Sequence, residues 1–97
     1  MFAALTVRRL KPGSYDEWRR AWEPPQWPEG AQKAYILRKV GDPDEVIAFG
    51  FFEGDLTAFR NDPELQDAQK QRFDAMAPYV ESTGADGFYE VVEEVTP

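Results

Sequence analysis

The sequence predicts an α+β fold: a ferredoxin-like βαββαβ antiparallel sheet with its helices on one face. Three observations predict it. Strand-like and helix-like segments alternate in that order along the 97 residues. The run Gly41-Asp42-Pro43-Asp44 joins two apolar segments as a hairpin. Two helix starts are marked, by Ser14-Tyr15-Asp16-Glu17 and by Asp62-Pro63-Glu64-Leu65. Right-handed crossovers on this order put both helices on the same side of the sheet. The length suits one domain, residues 1–97.

The first strand is Phe2 to Leu10, ended by Lys11-Pro12-Gly13. Ser14 and Glu17 then have the spacing of a capping box, each side chain able to bond the other's amide. The helix that follows sets Tyr15, Trp18 and Trp22 on one face and stops before Pro24-Pro25, since a residue preceding proline is pushed out of the α region. Glu23 to Gly30, with Trp27 between prolines, is an irregular loop. Gln32 to Val40 and Glu45 to Glu53 are the hairpin strands, the latter apolar on both parities, as in a strand covered on both faces. Gly50 within it suggests a bulge or a close backbone approach.

Asp55 caps a short helical turn through Phe59. Asp62 as N-cap and Pro63 at the first helical position open the second helix, on which Leu65, Phe73, Met76 and Val80 recur at helical spacing. Pro78 ends it near Ala77. Gly84 to Gly87 reads as a loop and Phe88 to Val95 as the last strand.

Composition narrows the chemistry. With 18 acidic and 11 basic residues the net charge is −7, and no lysine or arginine run offsets it, which argues against nucleic acid and anionic membrane as partners. There is no cysteine and no histidine, which removes thiolate sites, disulfides, the commonest metal ligand and the commonest general base. The acidic groups Asp42, Asp44, Glu45, Glu90, Glu93 and Glu94 lack the spacing of a calcium loop or the ligands of a transition metal, so no metal site is expected. The longest apolar stretch, Val46 to Phe52, is too short to span a bilayer. The N-terminus has no signal-peptide layout, and a cytoplasmic location is expected.

Two helices cover only one face of four strands. The other parity is apolar too: Phe2 and Ala4 oppose Ala3, Leu5 and Val7, and Val46, Ala48 and Phe52 oppose Ile47, Phe49 and Phe51. Four strands present a face of about 350 Å², near the size at which an apolar patch marks a contact surface. A chain this short also buries only about 60–65% of its unfolded surface. A homodimer packed sheet to sheet is expected.

The element order, the hairpin GDPDEV (Gly41 to Val46), the strand end Phe52-Glu53 and the segment FRNDPEL (Phe59 to Leu65) together resemble the antibiotic-biosynthesis-monooxygenase-like family of dimeric α/β barrels, over nearly the whole chain. That family includes cofactor-independent oxygenases acting on phenolic polycycles or quinols, haem-degrading enzymes, and small proteins of unknown role. The haem-degrading branch uses an Asn, a Trp and a His at places that align here with Thr6, Phe52 and Gln69. None is kept, so the resemblance implies no haem and no cofactor. It implies instead a small aromatic or polyketide-like ligand, and an oxygenase whose pocket stabilises a substrate anion.

In such a fold a cavity between sheet and helices draws its lining from Thr6, Arg8, Trp18, Trp22, Tyr35, Phe52, Gln69 and Phe73. Trp18, Trp22 and Phe73 also suit a plain core role by their helical spacing. Arg8 and Arg38 can hold a carboxylate or enolate oxygen, or Arg8 can pair with Glu90 across strands. Gln69, on the inward stripe with Leu65, Phe73 and Met76, either bonds backbone or reaches into a cavity. Tyr35 and Tyr89 offer phenolic hydroxyls, and Trp27 is a lid or an anchor on a partner. The alternative function is a structural or interaction protein with a filled interior. A polar-lined cavity of about 300 Å³ or more separates the two.

Overall fold

The computed structural model describes all residues, Met1–Pro97. Its elements are β1 (Phe2–Leu10), α1 (Tyr15–Trp22), β2 (Ala31–Lys39), β3 (Asp42–Phe52), α2 (Leu56–Arg60), α3 (Pro63–Met76), a 3-10 turn (Ala77–Tyr79) and β4 (Val80–Glu90). The four strands form one antiparallel sheet in the order β2-β3-β1-β4, the expected ferredoxin-like topology, with the helices on one face. The sheet does not close on itself. No helix is long and apolar enough to cross a membrane.

Local chemistry explains most boundaries. The Ser14 amide donates to the Lys11 carbonyl at 3.1 Å, and Gly13 has φ +74°. With Pro12 at the second position, this is a type II turn, whose third position requires positive φ. The capping box does not form. Ser14 makes no side-chain cap bond, and α1 begins instead on its carbonyl, which accepts from the Trp18 amide at 2.9 Å. The Lys11–Ser14 turn fixes the chain direction, so the hydroxyl is not needed. Asp55 accepts from the Thr57 amide at 2.8 Å and Asp62 from the Glu64 amide at 3.0 Å, so the two expected aspartate caps do form. Pro78 falls in the 3-10 turn that ends α3.

The last strand is a correction. It runs Val80–Glu90, not Phe88 to Val95, and takes in Gly84 to Gly87. β1 presents a nine-residue edge of backbone donors and acceptors, and β4 pairs along it from Leu10↔Val80 to Phe2↔Glu90, with register shifts between Thr6 and Arg8 and between Arg9 and Leu10. Ladder hydrogen bonding along that edge outweighs the turn propensity of two glycines. The same register corrects the Arg8–Glu90 pair: Arg8 sits opposite Thr83, and Glu90 lies at the far end beside Phe2. Gly50 carries no bulge, being paired in register with Ala4 on one side and Ala34 on the other.

The acidic residues of the hairpin are engaged. Arg9 donates to Asp42 at 2.9 Å, the Gly13 amide donates to Asp44 at 3.2 Å, and Lys39 lies 3.8 Å from Glu45. These contacts tie the hairpin to the far end of β1. The bond from Arg9 holds the Asp42 carboxyl below the usual carboxylate range.

The helix-covered face is filled at both ends. At one end Leu10, Trp18, Val46 and Met76 are fully buried, with Trp22 and Ala48 completing the cluster. Burying each large side chain contributes about 1.5–3 kcal/mol. Trp18 is packed all round, and its indole N–H has no acceptor. At the other end Phe2 stacks on Phe52 at 5.2 Å between ring centroids, and Phe59 and Phe88 meet edge to face at 5.3 Å. The opposite face is uncovered. In-register rows there carry Leu37 with Ile47 and Val7, Tyr35 with Phe49 and Leu5, and Phe51 with Ala3 and Tyr89. Tyr35, Leu37 and Tyr89 are each 44–48% exposed.

Two glycines at positive φ separate backbone strain from backbone contact. At Gly13 an added Cβ meets nothing within 4 Å, so Gly13→Ala should cost only the left-handed penalty, about 1–2 kcal/mol. At Gly30, φ +87°, the same atom would clash with the Glu53 carbonyl oxygen, while the Glu53 amide donates to the Gly30 carbonyl at 2.9 Å. Gly30→Ala is expected to destabilise clearly more than Gly13→Ala in urea unfolding; equal losses would mean that the Pro28–Ala31 turn yields without cost.

Candidate functional site

Between the two packed ends the helix-facing side of the sheet carries small residues. Ala4, Gly50 and Ala34 lie side by side in register, with Thr6 and Ala48 in the next row. Side chains this short leave the space above them unfilled, and a cavity of about 570 Å³ lies there. Its walls come from β1, β3, β4, α3, α2 and the loop after α1. Trp22, Phe59, Phe73 and Phe88 supply aromatic surface, and Trp27 stands at the rim, its ring 6.0 Å edge-on to Trp22. The volume falls in the range of small-molecule sites, which are mostly apolar with a few placed polar groups. The interior is not filled.

Six of the eight residues proposed from sequence line this cavity: Thr6, Arg8, Trp22, Phe52, Gln69 and Phe73. The other two do not. Trp18 is fully buried in the core cluster, one helical turn from Trp22 but behind it. Tyr35 points to the uncovered face, 5.4 Å from the Phe49 ring, because its register partner Phe49 lies on that parity. Phe73 is 43% exposed at the cavity and is no part of the core. Arg38 lies over the Tyr15 ring at 4.6 Å, away from the site.

The polar groups converge from β1 and α3. Arg8 is 6% exposed, donates to the Thr6 hydroxyl at 2.7 Å, and lies over the Phe73 ring at 5.6 Å. Arg72 donates from Nε to the Trp22 carbonyl at 2.7 Å and from Nη1 to Gln69 Oε1, and lies 5.4 Å over the Trp22 ring. Gln69 thus makes no backbone bond; it lines the cavity, and its oxygen holds Arg72. Burial lowers the Arg8 pKa, partly offset by the Asp86 carboxylate. Burial, then the neighbouring Arg8 charge, bring Arg72 down to about 10, so it is still a cation at neutral pH. Arg72 and Asp86 escaped the sequence reading. Arg72 sits one residue before Phe73, on a helix whose polar and apolar faces are weakly separated, and Asp86 lies in the segment that read as a loop.

This architecture can be compared with solved structures. No protein-family profile matches the sequence, and no curated protein does. Among solved structures, a provisionally named antibiotic biosynthesis monooxygenase from Chloroflexus aurantiacus superposes with a TM-score of 0.68 at 16% identity, over 98% of this chain and 96% of that one. The chain shares its fold. A second provisionally named antibiotic biosynthesis monooxygenase, from Deinococcus radiodurans, gives a TM-score of 0.67 at 10% identity, over 100% and 98% of the two chains. An uncharacterised NIPSNAP domain protein from Burkholderia xenovorans gives 0.59 at 15% identity, over 100% and 99%. The monooxygenase-like fold inferred from the hairpin and helix-start motifs is the fold observed.

The small-residue floor makes the cavity separable from the fold. An added Cβ at Gly50 meets Ala34 and Phe52 at ordinary contact distances of 3.5–3.6 Å. Gly50→Ala should therefore keep the native circular dichroism and melting temperature while narrowing the cavity. Loss of the native spectrum would show that the floor is structural.

Proposed function

We propose that the cavity binds a small aromatic or polyketide-like molecule and that the protein is a cofactor-independent oxygenase acting in the cytoplasm. The observation that carries this is the cavity itself: about 570 Å³, walled by aromatic rings and supplied at one side with Arg8, Thr6 and the Gln69–Arg72 pair. The names of two structural neighbours point the same way, and a filled interior, which the structural-protein alternative requires, is absent.

The chemistry follows from the side chains. A phenolic or anthrone-type substrate gives up a proton to become a stabilised carbanion, whose negative charge rests on an oxygen held by Arg8 or Arg72. In a chain without histidine or cysteine, Asp86 is the one carboxylate lining the cavity and takes that proton. The carbanion passes an electron to dioxygen, and the pair recombines to a peroxide anion that takes the proton back from Asp86 and loses water to leave a ketone. Oxygen uptake with anthrone tests this reading. Wild-type protein should consume one dioxygen per anthrone. Asp86→Asn should slow turnover by about 10²-fold or more, and Gln69→Leu should slow it less, through a displaced Arg72. No uptake by wild-type protein would reject catalysis, and unchanged turnover in Gln69→Leu would remove that residue from the mechanism.

We propose further that the protein is a homodimer, joined through the uncovered sheet face. Tyr35, Leu37, Phe49, Phe51, Ile47 and Tyr89 form there an apolar patch that water would otherwise wet. Sedimentation at micromolar concentration should give twice the mass of one 11.1 kDa chain. Phe49→Asp should reduce it to one; a monomeric wild type would overturn the proposal.

A further inference from the structure

The chain carries −7 overall, yet its cavity is lined by four cations, Arg8, Arg60, Lys70 and Arg72, against one carboxylate, Asp86. Two of these cations are unusual. Arg9 reaches Asp42 at 2.9 Å and Arg19 reaches Glu23 at 2.7 Å, and the other arginines without an ion pair, Arg20, Arg38 and Arg60, are exposed to water. Arg8 and Arg72 form no ion pair, although both are withdrawn from water. Asp86 acts on Arg8, and Glu23 on Arg72, through space and without an ion pair. Two like charges withdrawn from water at one site, with no carboxylate in direct contact, raise each other's cost. Both side chains are nonetheless held in place, Arg8 by Thr6 and the Phe73 ring, Arg72 by the Trp22 carbonyl, Gln69 and the Trp22 ring. Each spends only one or two of its five N–H donors on these partners.

We infer that Arg8 and Arg72 are a two-pronged anion grip, and that the cavity's occupant is an aromatic acid whose carboxylate lies between the guanidinium groups and whose ring lies against Trp22 and Phe73. A planar guanidinium matches a carboxylate with paired hydrogen bonds, and a bound carboxylate supplies the counter-charge that the site lacks. The inference rests on the ligand-pocket reading above and narrows it from aromatic molecules in general to anionic ones.

Calorimetric titration with a matched pair of probes, 2-naphthoate and 2-naphthamide, tests it. They share a ring system and differ in charge. Wild-type protein should bind 2-naphthoate at least about tenfold more tightly than the amide. In Arg72→Gln that preference should collapse toward unity, and Arg72→Lys should restore part of it. Should Arg72→Gln fail to fold, wild-type protein still decides: 2-naphthoate should raise its Tm well above the shift given by the amide at equal concentration. Equal binding of both probes would overturn the anion grip and leave the pocket reading standing. Binding of neither would overturn both. A preference for naphthoate that survives Arg72→Gln and Arg8→Gln would place the anion elsewhere and reject the assignment.

Discussion

Everything in this molecule follows from a mismatch between one sheet and the helices available to cover it. Four strands offer two faces, and α1 and α3 with the loop between α1 and β2 shield only one. On that side the large residues are set at the two ends, Trp18 with Leu10 and Met76 at one, Phe2 with Phe52, Phe59 and Phe88 at the other. Between them Ala4, Ala34, Ala48 and Gly50 carry side chains too short to fill the space under the helices. The gap that results is a property of side-chain length at fixed strand positions, and packing at the two ends keeps it from collapsing. On the other side the same arithmetic leaves a row of aromatic and branched residues without cover.

Much of this was legible in the residues. The Asp55 and Asp62 caps, the stop before Pro24 and the hairpin at Gly41 depend on interactions within a few residues, and such interactions are written locally. Parity along β1 and β3 told which side chains share a face. What was hidden depends on distant partners. Gly84 and Gly87 look like a loop until the edge of β1 recruits them into β4. That misreading concealed Asp86 and placed Glu90 beside Arg8, when register sets it beside Phe2. Arg72 was invisible for a different reason: only the three-dimensional position of the Trp22 carbonyl makes it an inward residue. Tyr35 erred by parity alone, since a strand residue one place away would have faced the cavity.

The charge distribution carries its own lesson. A sequence with 18 acids and 11 bases advertises an acidic protein, and its surface is one. The cavity inverts that sign because β1 and α3 each contribute an arginine from the side facing inward, each lying over an aromatic ring, and only one carboxylate, Asp86, joins them in the lining. Net charge describes the chain as a whole and does not describe the lining of its cavity. Bulk composition and local field are separate quantities.

The floor of alanines and one glycine has an evolutionary consequence. Because Ala4 and Gly50 lie outside the buried cluster to which Ala48 belongs, a methyl step at either can reshape the chamber above it at less risk to the scaffold than one at Ala48. A lineage built on this plan can drift among guests of different outline at small thermodynamic risk, which is one physical route by which a single architecture comes to serve many unrelated molecules.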